Sequence, residues 1–278
     1  MSRLITALVA LPVIIASILI GPLSLLFVAV ALAAMMMGLH EFWLLARRRE
    51  LQPELTVGTV AAAALFAAFY FNAPYADPRL LLMTLCLFVV ATLVAAMLRG
   101  APFEKIMAST AVTISGVMYV AFLGGHLVAV RTGFAQPLAA DLLSFFFLVL
   151  MGADIAAYYT GRALGKHKLA PSVSPGKTWE GAAGGLLASL LAAVVAHYWF
   201  FPELSLKAAL PLAALMNVLG VAGDLTESAL KRGAGAKDAA NILPGHGGLL
   251  DRLDSLLFNA PLIYYFAVYY FGEAFINR

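Results

Sequence analysis

The sequence predicts an all-α polytopic integral membrane protein, a helix bundle of about nine transmembrane helices around a polar cavity facing the cytoplasm. Three observations predict it. Hydrophobic residues make up 63% of the 278 and charged residues 12%, against roughly 25% charged in a soluble domain. Mean hydropathy is +0.92. The chain also divides into successive apolar runs of about the 17–25 residues that a helix needs to cross a bilayer.

The runs lie near 4–20, 23–45, 56–72, 80–98, 106–130, 139–160, 182–201, 208–229 and 252–272. The first follows Met1-Ser2-Arg3 and is read as a retained helix rather than a signal peptide. No small-x-small cleavage site ends it, and the next run follows Gly21-Pro22 at once. With nine crossings, fourteen of the 18 Lys and Arg fall on one side. Only Arg79, Arg131, Lys207 and Arg278 fall on the other. The positive-inside rule then puts the N-terminus and the rich side in the cytoplasm. The single cysteine, Cys86, lies within an apolar run, so an intramolecular disulfide or a cysteine metal cluster is excluded.

The chain reads as one integral membrane domain, 1–278, in two parts. Residues 1–150 are transmembrane helices with little polar content. There, His40 and Glu41 near Arg47–Arg49 read as a cluster at the membrane interface. The three arginines favour anionic lipid by about 1 kcal/mol each. His126 receives no role. Residues 151–278 hold two long, basic, Gly- and Pro-rich inner linkers, Gly161–Gly181 and Lys231–Asp251, of the kind that carries function on a rigid scaffold.

The stretch Gly223–Asp254 concentrates the charge. Asn217, Gly220, Asp224, Glu227, Ser228 and Lys231 recur at helical spacing and form one polar stripe on the eighth helix. A carboxylate inside the membrane costs about 2.5 kcal/mol or more unless paired or solvated, so Asp224 is either a cation ligand or half of a helix–helix salt bridge. The ninth helix opens with Asp251, Asp254 and Ser255, where capping is the plainer explanation for one acid. Asp224 and Asp251 flank one loop and can converge on one ion. With oxygen ligands and no cysteine, that ion is Mg²⁺ rather than zinc. Between the acids, Lys231, Arg232, Lys237 and Arg252 can neutralise phosphate, and the glycines of Pro244-Gly245-His246-Gly247-Gly248 let backbone N–H groups approach an anion. His246 is either a general acid or a hydrogen-bonding prop.

The other linker begins on a helix face shared by Asp154, Tyr158 and Arg162, where Asp154 is a ligand or the partner of Arg162. It continues as Ser174-Pro175-Gly176-Lys177-Thr178-Trp179-Glu180-Gly181. The Gly-Lys-Thr is not a P-loop, because Pro171 stands where that motif needs glycine. Ser174 and Lys177 can hold phosphate, and Ser174-Pro175-Gly176 can equally be only a turn. Trp179 stacks on a base or anchors the interface.

Ser228-x-Leu230-Lys231-Arg232, four residues, Lys237-Asp238, then Pro244-Gly245-His246-Gly247-Gly248 and Asp251-Arg252-Leu253-Asp254 resembles the signature of phosphatidate cytidylyltransferases (CDP-diacylglycerol synthases). It shows no departure from Ser228 to Asp254. Ser174–Gly181 is similar to a second motif of that family, Ser-Pro-x-Lys-Thr-x-Glu-Gly. The resemblance covers about Asp154 to Asp254. It implies transfer of CMP from CTP to phosphatidic acid, giving CDP-diacylglycerol and pyrophosphate for phospholipid biosynthesis, at the inner membrane of a bacterial-type cell. In that picture Asp224 and Asp251 hold Mg²⁺, with Asp254 and Asp154 as further candidates and a second cation such as K⁺ left open. Asp224, Asp251, Lys237 and His246 are the expected catalytic residues. Ser174, Lys177, Lys231, Arg232, Gly247, Gly248 and Arg252 are expected to bind substrate. CTP, phosphatidic acid and membrane lipids are the expected partners, with no nucleic acid, and a homodimer is left open.

Two other classes compete. A CDP-alcohol phosphotransferase needs an acidic array, D-G-x-x-A-R followed by G-x-x-x-D-x-x-x-D, that is absent here. An ion-coupled transporter would place its acids at mid-membrane in inverted repeats, whereas these crowd one end of one half of the chain.

Overall fold

The computed structural model describes residues 12–73, 77–100, 103–236 and 248–272. They form helices α1 (residues 12–19), α2 (Ser24–Arg47), α3 (Leu55–Asn72), α4 (Arg79–Arg99), α5 (Ile106–Gly133), α6 (Leu138–Leu164), α7 (Trp179–Trp199), α8 (Leu206–Gly233) and α9 (Leu250–Phe271). A hydrocarbon layer offers no partner to backbone polar groups, so apolar runs of this length satisfy their own N–H and C=O groups as helices. Among the described residues, seven of the nine expected spans are long and apolar enough to cross a membrane, α2 through α8, and the first expected span, near 4–20, lies partly outside the described residues. α9 has 22 residues, but Asp251, Arg252, Asp254, Asn259 and four tyrosines dilute its apolar character.

The linker between α6 and α7 is more ordered than a loop. Strand β1 (Lys168–Ala170) pairs antiparallel with β2 (Ser174–Thr178), Lys168 opposite Thr178 and Ala170 opposite Ser174. Thr178 ends the strand and caps α7, its side chain accepting from Gly181 N–H at 3.1 Å. Glu180 accepts from the ring of His167 at 2.6 Å and so ties the base of the hairpin to α7.

The two larger apolar cores among the described residues divide the helices between them. One joins α6, α7, α8 and α9 through Phe145, Phe146, Ala193, Met216 and Ile263. The other joins α2, α3 and α5 through Leu39, Trp43, Leu65 and Val117, and reaches α9 at Leu250 and Leu257. α6 and α7 touch almost backbone to backbone: a Cβ added at Gly181 would stand 2.9 Å from the Ala157 carbonyl oxygen. Small residues at a crossing are how helices associate in a membrane, where no hydrophobic force draws them together. α4 instead buries only Phe88, Thr92 and Ala96 and exposes Leu87, Val90, Leu93 and Met97.

Two N-terminal polar residues have structural work. Arg131 is buried and donates to the carbonyls of Ser17 (3.2 Å) and Ile20 (3.3 Å), satisfying the unpaired end of α1. His126 is buried among the rings of Phe69, Phe122, Tyr264 and Tyr265, with Nδ1 2.9 Å from the Phe122 carbonyl oxygen.

Candidate functional site

One end of the α6–α9 bundle opens into a cavity of about 540 Å³, lined by Asp154, Tyr158, Arg162, Ser174, Lys177, Asp224, Asp251, Arg252 and Asp254 among others. Asp154 to Arg162 come from the C-terminal half of α6, and Ser174 and Lys177 from β2. Asp224 sits in the C-terminal half of α8, while the last three open α9. The crossing of α8 and α9 is what brings their acids together. A Cβ on Gly223 would stand 2.5 Å from the Asp254 backbone oxygen, so only glycine lets the two helices approach this closely.

Charges alternate across the site. Lys177 is ion-paired with Asp224, whose carboxylate also accepts from Ser228 Oγ at 3.4 Å. Lys231 Nζ lies 2.6 Å from Asp251 Oδ1 and 2.5 Å from Glu227 Oε2. The second oxygen of Asp251 accepts the Gly248 N–H at 2.9 Å, so this acid both ties the segment ahead of α9 to its first turn and faces the cavity. Asp254 is buried, and its Oδ1 accepts the Ser255 N–H at 2.6 Å.

The structure distributes the residues expected from the sequence unevenly. All four candidate metal-binding acids share the cavity with Ser174, Lys177 and Arg252. Lys231 lies behind it, engaged with Glu227 and Asp251. Arg232 donates to the carbonyls of Val173 (3.3 Å) and Ala236 (3.2 Å), bracing the hairpin tip against the end of α8. Gly248 contributes its N–H to Asp251. Lys237, His246 and Gly247 lie outside the described residues. Arg162 donates to the Tyr158 hydroxyl at 3.3 Å, and no ion pair joins it to Asp154 among the described residues. Trp179 is exposed and absent from the cavity lining.

The reading of Glu41 as part of an interface cluster is overturned. Glu41 is 0% exposed, and its two oxygens accept the N–H groups of Leu249 (2.9 Å) and Leu250 (2.7 Å) at the start of α9. Its neighbours in sequence misled: the arginines near it are exposed while it points inward. A partner 208 residues away leaves no local signal; an ionisable group inside an otherwise apolar run was the one clue.

The donor set fits a hard cation, because the four cavity acids offer only oxygen. Among the described residues no group of three or more His, Cys, Asp and Glu is arranged to hold a metal ion. A divalent ion bound here would take one or two of these carboxylates and complete its shell with water and ligand phosphates, the mode Mg²⁺ favours.

Fold and cavity define a polytopic helical membrane protein with a charged, two-signed pocket at one end of its C-terminal bundle. The chain belongs to the cytidylyltransferase family, whose model matches residues 1–270. It is 45% identical over 129 residues to a phosphatidate cytidylyltransferase of Haemophilus influenzae, 45% of each chain. It is 43% identical over 159 residues to the protein of that name from Brucella suis, 55% of each chain. It is 47% identical over 127 residues to that from Pseudomonas aeruginosa, 45% of this chain and 47% of the relative. The chain spans about half the length of the curated relatives it matches.

Proposed function

We propose that this protein transfers CMP from CTP to phosphatidic acid, giving CDP-diacylglycerol and pyrophosphate. The observation that carries the reading is the single cavity in which Lys177 and Arg252 stand among Asp154, Asp224, Asp251 and Asp254, in a chain of the cytidylyltransferase family. A phosphate monoester is already largely ionised near neutral pH, so the attacking lipid oxygen needs little base catalysis. It attacks the α-phosphorus of CTP, a new P–O bond forms, and the bond to the β-phosphate breaks to release pyrophosphate. Catalysis of this kind is mostly positioning and charge neutralisation.

The residues divide that work. Lys177 and Arg252 bind phosphate oxygens, and Asp224 holds Lys177 in place until substrate arrives. Asp224 and Asp251 are the pair to hold Mg²⁺, with Asp254 and Asp154 beside them. Mg²⁺, when bound, supplies charge neutralisation at the phosphates. Lys231, wedged between Glu227 and Asp251, keeps Asp251 ionised and aimed. The bias of Lys and Arg supports a cytoplasmic position for this end of the bundle, on the side where CTP is. The lipid enters from the bilayer with its head group in the cavity and its chains among the helices.

Pyrophosphate release by purified protein in detergent micelles tests the reading. It is expected only when CTP and phosphatidic acid are both present, and EDTA is expected to abolish it. Release that ignores the lipid, or none over several metals from folded protein, contradicts it.

A further inference from the structure

We propose that Glu41 is a positioning residue for this reaction: from α2 it fixes the first turn of α9, and through that turn the carboxylates of Asp251 and Asp254. The inference rests on the activity proposed above. The first N–H groups of a helix have no partner within it, and one carboxylate here satisfies two of them, from Leu249 and Leu250. A fully buried carboxylate is tolerated only when so bonded, and the positive end of a helix favours its charge.

Asp251 is the next residue after Leu250, and Asp254 lies about one turn further on, so displacing this turn displaces both acids. α2 holds the partner helix too. Arg49 Nε donates to the carbonyl of Gly233, the last residue of α8, at 2.5 Å. Lower on α2, a Cβ on Gly38 would stand 3.2 Å from Leu253 Cδ1, so α2 packs directly on the opening turns of α9. The N-terminal half thus braces both helices whose ends carry Asp224, Asp251 and Asp254.

The test uses the full chain in detergent–phosphatidate micelles with Glu41→Gln, Leu249→Pro and the double variant. Leu249 has φ −70°, so proline keeps the backbone and deletes the donor, at the cost of the partly buried leucine side chain. Each single variant is expected to lower kcat by about 10–100-fold while KM for CTP stays within about threefold, as for a small misplacement of catalytic groups. The double variant is expected to lose no more than the worse single, because both break one contact. Hydrogen exchange at the amide of residue 250 is expected to rise in Glu41→Gln, with α6 and α7 unchanged. Wild-type kcat in Glu41→Gln, losses that multiply in the double variant, or a loss confined to KM overturns the proposal. Should Glu41→Gln not fold, wild-type kcat in Leu249→Pro overturns it equally. A wild-type protein that transfers no CMP sinks the assigned reaction instead, while the exchange measurement still reads the contact.

Discussion

Lys177, on the second strand of the hairpin, is ion-paired with Asp224 on α8, and both line the cavity. The pair joins the linker Gly161–Gly181 to α8 at one point. Asp224→Asn removes a carboxylate and leaves Lys177 without its partner. Activity is expected to fall on the order of 100-fold, the scale of losing one preorganised charge at a transition state. Lys177→Gln is expected to fall comparably, and the two together by little more than either, read as initial rates of lipid labelling.

Lys231 separates a structural from a ligand-binding role. Its side chain is 12% exposed and Glu227 beside it 1%. Lys231→Met leaves Glu227 buried without a counter-charge, which costs about 3–5 kcal/mol. The thermal midpoint in detergent is expected to drop sharply, and adding Glu227→Gln is expected to restore most of it. A phosphate ligand with no structural part would lose activity at an unchanged midpoint.

The α8–α9 crossing predicts a sharp contrast between two glycines. Gly223→Ala drives a methyl group into the Asp254 backbone oxygen and is expected to destabilise by about 1–3 kcal/mol, with activity falling as Asp254 shifts. Gly152→Ala on α6 meets nothing within 4 Å and is expected to be neutral or up to about 1 kcal/mol stabilising. Unfolding curves of the two variants in the same detergent decide it.

Thr178→Val keeps the shape of the side chain and deletes the cap on α7. A loss of about 1 kcal/mol is expected. Because Lys177 immediately precedes the cap, the KM for CTP is expected to rise as well; an unchanged KM would separate the hairpin from nucleotide binding.

Much of this was legible from the sequence, for identifiable reasons. Apolar runs with no backbone partner but themselves gave the helices, and helical spacing put Asp154, Tyr158 and Arg162 on a common face that does line the cavity. Ser174-Pro175-Gly176 reads equally as a turn, yet these residues belong to the strand Ser174–Thr178, because pairing with Lys168–Ala170 is a tertiary choice that a string of Ser, Pro and Gly does not announce. Arg232 reads from its charge as a phosphate ligand, and nothing in the sequence signals that it also braces the hairpin tip through the Val173 carbonyl. Glu41 was misread because charge neighbours in sequence are visible and a hydrogen bond to α9 is not.

The most direct test of the central claim compares CTP labelled at the α-phosphate with CTP labelled at the γ-phosphate. Purified protein, Mg²⁺ and phosphatidic acid are incubated and the lipid extracted. The account predicts label in lipid from the α position only, one pyrophosphate released per lipid labelled, and near-complete loss in Asp224→Asn. Label in lipid from the γ position, or undiminished transfer by Asp224→Asn, contradicts it.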